Sequence, residues 1–147
     1  MSGIKMSNCK FYVNKEERTV VCVIHNTREM LSNFIEEHCD YYLPYYFSPT
    51  MARKLEQELE MPNTFIGKAV CSPDDEWDEE LGRKIAYSRA KDKCYRSFFK
   101  RANNVVNLID RCLGRMMDSF NNFGARLETN REILQAQIEH KLPPEKE

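Results

Sequence analysis

Residues 63–93 read NTFIGKAVCSPDDEWDEELGRKIAYSRAKDK. Asn63–Cys71 reads as a strand, a short loop follows, and a long helix then opens. Six of the seven residues from Asp74 to Glu80 are acidic, Trp77 being the exception, and basic residues dominate from Arg83 onward. Acids in a first helical turn offset the positive end of the helix dipole, and Pro73 suits the start of such a helix. A strand delivered directly into a long helix predicts a sheet packed against helices.

Upstream, Lys10–Val13 and Thr19–Ile24 are rich in β-branched and aromatic residues and flank the polar turn Asn14–Arg18, which predicts two further strands. Asn26 with Glu29 three residues on forms a capping-box pattern, and Met30, Leu31, Phe34, Ile35, His38 and Cys39 then recur at helical spacing. His38 on that row reads as a core histidine. Ser48 before Pro49 predicts a second short helix with Met51, Leu55 and Leu59 on one face. Between the two helices, Tyr41–Phe47 places five aromatics in seven residues. It reads either as a loop whose rings cap the core or as a stacking surface for a base or a partner.

Downstream, no proline interrupts Asp78–Phe123. An apolar seam runs Tyr95, Phe99, Ala102, Val106, Ile109, Leu113, Met116, Phe120, Phe123, with spacings that alternate four and three. Leu81 and Ile85 extend it upstream, with Ser88 and Asp92 as polar interruptions, and Phe98, Val105 and Cys112 flank it. Sustained heptads argue for helix against helix, and a stripe this wide argues for a second subunit. Gly124 reads as a break, after which Leu127–Lys141 forms a C-terminal helix that folds back as a helical hairpin. The tail Pro143–Glu147 is expected to fray.

These segments predict an α+β fold: a small antiparallel β-sheet with two short helices, then a long heptad-patterned helix and a C-terminal helix. A chain of 147 residues fits a single domain, residues 1–147, with an α/β head over 1–72 and a helical oligomerisation region over 73–147. The net charge of -1 gives no bulk attraction to nucleic acid. No apolar run approaches a membrane span, and Met1–Cys9 lacks the apolar core of a signal peptide. The six cysteines show no metal-like spacing and read as reduced, mostly buried thiols of a cytoplasmic protein.

The residues with binding chemistry lie on the long helix. Arg89, Lys93, Arg96 and Lys100 follow one another four, three and four apart, and Asn103 and Asn107 continue the face. The row reads either as a solvated helix face or as a site for an anion with polar edges, which guanidinium and ammonium groups beside amides suit. Arg111 and Arg115 form a shorter basic pair on another face. Trp77, the only tryptophan, reads either as packing over the strand–helix junction or as a ring that covers a ligand. The acidic run lacks the ligand spacing and glycine of a calcium loop, so no metal site is expected. Gly67, Gly82, Gly114 and Gly124 are too dispersed for a phosphate loop, and no cysteine or histidine sits in a recognised nucleophile motif. The expectation is a binding protein without cofactor, not an enzyme.

The segment Phe65-Ile-Gly67-Lys-Ala-Val-Cys71-Ser-Pro73-Asp-Asp75-Glu-Trp77-Asp78, with Gly82-Arg83-Lys-Ile-Ala86 and Arg89-Ala90 beyond it, resembles one found in small proteins of phages that infect Gram-positive bacteria. Among them it resembles the first-described anti-Thoeris sponge family. The resemblance implies an antiparallel sheet followed by helices that mediate assembly. It also implies sequestration, without cleavage, of the cyclic ADP-ribose isomer made by a host TIR-domain defence protein, or of cyclic oligonucleotides, in the host cytoplasm. It supplies no ligand residues, and the helical insert Thr27–Glu60 departs from the family pattern. The alternative is a protein-binding inhibitor of a host defence complex, anti-CRISPR-like, whose Asp74–Glu80 patch imitates nucleic-acid phosphates. A coiled-coil adaptor is the third reading.

Overall fold

The computed structural model describes residues 3–39 and 42–139. Their elements are β1 (Lys10–Asn14), β2 (Thr19–His25), α1 (Met30–His38), α2 (Pro49–Leu59), β3 (Thr64–Val70) and α3 (Glu79–Ile138). The three strands form one antiparallel sheet in the order β1-β2-β3. Phe11, Cys22 and Gly67 stand in one cross-strand row, and Val13, Val20 and Ala69 in the next. The α+β class therefore holds. Contacts divide the chain after Val106 into two compact units.

In the first unit, α3 covers the row side of the sheet with its smallest residues. Val20, Cys22, Ile24, Ala69, Ala86 and Ala90 make one buried cluster. A Cβ at Gly67 would stand 2.1 Å from the Ala86 carbonyl oxygen and 2.4 Å from the Ala90 amide nitrogen, and one at Gly82 2.9 Å from Val20 Cγ2. Gly82, Ala86 and Ala90, four apart, thus let the helix backbone approach the strands closely, while Cys94, next in the row, meets Met30 of α1, Sγ to Sδ at 3.7 Å. The face that docks on the sheet is this small-residue stripe. The heptad seam lies beside it, with Leu81, Tyr95 and Phe99 at 52%, 40% and 68% exposure.

The insert between β2 and β3 closes on itself. Thr27 N–H donates to Asn63 O (3.3 Å), its hydroxyl donates to Pro62 O, and Met61 N–H donates to Arg28 O (3.0 Å). The expected capping box does not form: α1 begins at Met30 without a side-chain cap, and Asn26 takes a left-handed φ of 60°. An asparagine tolerates that conformation, and the turn out of β2 uses it there. Ser48 does cap α2, accepting from Met51 N–H at 3.4 Å, and Met51, Leu55 and Leu59 are buried. His38 is exposed, set edge-on to Phe34, which in turn meets Phe98 of α3 edge-on. It is therefore not the core histidine its row predicted. Arg101 of α3 donates to Gln57 O (3.1 Å), at the end of α2, where carbonyls lack helical partners.

Over Leu43–Tyr46 the aromatic loop is a 3₁₀ turn with Pro44 buried and Tyr45 and Tyr46 exposed; Tyr41 lies outside the described residues. Only part of this loop caps the core.

Asp78 is the N-cap of α3, its Oδ1 accepting from Leu81 N–H at 3.0 Å. Pro73 instead sits in a turn five residues before that cap, closed by Asp75 N–H on Ser72 O at 3.1 Å. Arg18 clasps this turn, its guanidinium donating to Cys71 Sγ, Ser72 O and Asp75 O. Gly124 does not stop α3, which continues to Ile138, so the predicted separate C-terminal helix and hairpin are replaced by one helix. An isolated glycine costs a helix only about 1 kcal/mol and ends it only where the flanking sequence also favours a turn. The expected reach to Lys141 and the tail Pro143–Glu147 lie outside the described residues.

All six cysteines are free thiols; Cys22 and Cys94 are buried and the other four are half-buried. The expectation of mostly buried thiols is thus met by two. Burial pushes the Cys94 thiol up to about 11 and, with Cys9 beside it, the Cys22 thiol up to about 12. A raised thiol pKa favours the neutral folded form. Its contribution to stability is complete below the unfolded thiol's pKa of 9.0 and is lost as pH rises through the folded values. Unfolding free energy should therefore fall between pH 9 and about 12. Under native conditions iodoacetamide should label Cys9, Cys39, Cys71 and Cys112 well before Cys22 and Cys94. Mass spectrometry of the labelled peptides checks the order, and early labelling of Cys22 would contradict it.

Candidate functional site

β3 is an edge strand, so one side of its backbone has no strand partner. α3 meets that edge with cations. Arg89 donates from Nη1 to Lys68 O at 2.6 Å, and Lys93 donates from Nζ to Ile66 O at 2.8 Å. A guanidinium carries five N–H donors and an ammonium three, so a bond to the strand orients each group and leaves donors for a ligand.

Along this edge lies a cavity of about 570 Å³ lined by Lys68, Lys84, Ile85, Ser88, Arg89, Asp92 and Lys93. That volume falls within the roughly 300–1,000 Å³ of small-molecule sites. Four cations face one carboxylate there. Ile85 gives the groove an apolar patch and Ser88 a hydroxyl. The charge balance favours an anion, and the opening to solvent keeps each charge hydrated when the groove is empty.

The predicted stripe is divided by the structure. Arg89 and Lys93 line the groove together. Arg96 lies one turn on and pairs with the groove's Asp92 at 2.9 Å, on a largely exposed side chain. Lys100 and Asn103 are exposed further along α3, outside the lining. Asn107 falls in the second compact unit. Trp77 is half-buried against the sheet core and lines a separate cavity of about 200 Å³ with Val20, Ala69 and Gly82, so its ring is not in the basic groove.

Two groove cations escaped the helical-stripe reading. Lys68 comes from β3, where it alternates outward between the buried Gly67 and Ala69. Lys84 sits one helical turn before Ser88 and pairs with Glu80 at 3.3 Å. Strand alternation marks Lys68 as outward-facing in the sequence, but only the docking of α3 sets it beside Arg89. The acidic run has its own uses: Asp78 caps α3, Glu79 pairs with Arg83 at 3.4 Å, and Glu80 with Lys84.

Comparisons of the chain with protein-family models, with curated proteins and with solved structures found no match. Among the described residues, no helix is long and apolar enough to cross a membrane.

Proposed function

We propose that this protein is a counter-defence sponge. It binds a small anionic nucleotide, a cyclic ADP-ribose isomer or a cyclic oligonucleotide, in the groove between β3 and α3. It holds the ligand uncleaved in the cytoplasm of a phage-infected host, as a homo-oligomer assembled through the long helix. The observation that carries the reading is the convergence of Lys68, Lys84, Arg89 and Lys93 on one cavity of nucleotide size. Phosphate oxygens accept charge-assisted hydrogen bonds from these groups, while Ile85 and Ser88 offer contacts to a ribose or a base edge.

The test begins with a thermal-shift panel of cyclic ADP-ribose isomers, cyclic di- and trinucleotides and linear controls. A ligand at 100 times its Kd stabilises the native state by about 2.7 kcal/mol. One cyclic nucleotide should raise Tm and be recovered chemically unchanged after denaturation. Lys68→Glu and Arg89→Ala should each weaken its calorimetric Kd by about tenfold or more. Lys68→Glu removes no bond within the chain that depends on its side chain, so its effect reports the groove and not the fold. No Tm rise with any cyclic nucleotide, or recovery of a cleaved product, would sink the reading.

A further inference from the structure

Among the described residues, the second compact unit is one helical segment from Asn107 to Ile138, and no other element of that unit covers its apolar row. Leu113, Met116, Phe120, Phe123, Leu127 and Leu134 are each 47–65% exposed. They continue the four-three alternation, with Asn130 as the one polar interruption between Leu127 and Leu134. A solitary helix gains too little from its own hydrogen bonds to hold such a face in water.

We infer that this face is covered by the same face of a second copy, running antiparallel, with Phe120 of one copy against Phe123 of the other at the two-fold axis. The inference rests on the self-association half of the proposed function and not on the nucleotide. Charge selects the direction and register. In heptad terms Phe120 is an a position and Phe123 a d position. The antiparallel register that joins them also sets Met116 against Leu127 and Ile109 against Leu134. It brings Asp110, at a flanking e position, beside Arg131 of the other copy, and symmetry makes that pair twice. Among the described residues neither Asp110 nor Arg131 has an ion-pair partner in its own chain. A parallel pairing sets Arg126 against Arg131 of the other copy on both sides of the seam. Shifting the antiparallel helices one heptad toward the C-terminus sets Arg126 against itself. Shifting them one heptad the other way separates Asp110 from Arg131 and draws Phe98, already packed on Phe34, into the overlap. The chosen register spans 106–137, from the unit boundary almost to the end of α3.

Sedimentation equilibrium of the full chain at low salt tests this. Asp110→Arg should raise the dimer Kd by about tenfold, since it replaces two attractions with two repulsions, and Asp110→Arg with Arg131→Asp should return it to within about threefold. Both positions are exposed, and unchanged far-UV circular dichroism confirms that the helix persists. As a second measurement, Arg131→Lys with a zero-length carbodiimide should yield a peptide linking residues 110 and 131. Within one helix these residues are about 30 Å apart, and an in-register parallel pair keeps them equally far apart, so the link reports an antiparallel neighbour. A wild-type chain that stays monomeric at about 100 µM, far above the Kd of any micromolar association, would overturn both this inference and the self-association reading. A dimer in which the double variant is no tighter than Asp110→Arg, or which yields no such link, would overturn the antiparallel register alone.

Discussion

Gly67→Ala is expected to lower the unfolding free energy by about 3 kcal/mol, the cost of overpacking a contact that cannot relax locally. The added Cβ would meet the Ala86 carbonyl oxygen at 2.1 Å and the backbone nitrogen and Cα of Ala90 at 2.4 and 3.0 Å. None of these is the flexible end of a side chain. The helix must lift from β3, and lifting it also strains the bonds from Arg89 and Lys93 to the strand edge. Gly67 has no left-handed φ, so the effect arises from the close approach and not from backbone conformation. Urea denaturation of the two proteins measures it. Replacing Ala90 with glycine as well should not rescue the variant, because the colliding atoms belong to the main chain. A loss below about 1 kcal/mol, or rescue by Ala90→Gly, would show that α3 does not lie on β3 in this way.

Leu55→Ala is expected to cost about 2–5 kcal/mol, the transfer free energy of the lost methyl groups plus the cavity left behind. Leu55 is fully buried on the inner face of α2, between Met51 and Leu59 in its row. Since a domain of this size has a net stability of roughly 5–15 kcal/mol, one such change takes a large share of it. Leu113→Ala is the control. That leucine is 53% exposed within its own chain, so its truncation should leave the unfolding of the first unit within about 0.5 kcal/mol of wild type while weakening self-association. Equal losses of first-unit stability from the two substitutions would mean that Leu113 is packed within its own chain.

Local patterns carried much of the fold. The strands read over Thr19–Ile24 and Asn63–Cys71 and the polar turn Asn14–Arg18 were legible, to within a residue at the strand ends, because strand signals are short-range and this sheet pairs neighbours on both sides of β2. Ser48-Pro49 marked the start of α2 for the same reason: a cap is chemistry within one turn. The capping-box pattern at Asn26 and Glu29 misled because a conformational preference there competes with the closure of the insert. Thr27 and Met61 bond across its base, and that bonding holds the chain away from helix until Met30. Gly124 misled in the opposite sense, since one glycine weakens a helix without ending it.

The site was half legible. Arg89 and Lys93 shared a helical face in the sequence, and the groove keeps them together; Arg96 reaches it only through Asp92, and Trp77 went to a different cavity. A helical wheel ranks residues by angle about one axis. It holds no information about which strand edge that angle will face.

By itself, then, the sequence determined the secondary-structure content, the α+β class and the presence of two stripes on α3, one apolar at heptad spacing and one basic. Those properties follow from periodicity and from contacts within a turn or two. Only the tertiary structure decided that α3 docks on the sheet through Gly82, Ala86 and Ala90, leaves the heptad face exposed, and brings Arg89 and Lys93 to the edge of β3 beside Lys68. The reason is steric: two backbones approach this closely only where both lack bulk. Gly67 and Ala86 meet that condition jointly, a pairing across 19 residues that neither local pattern contains.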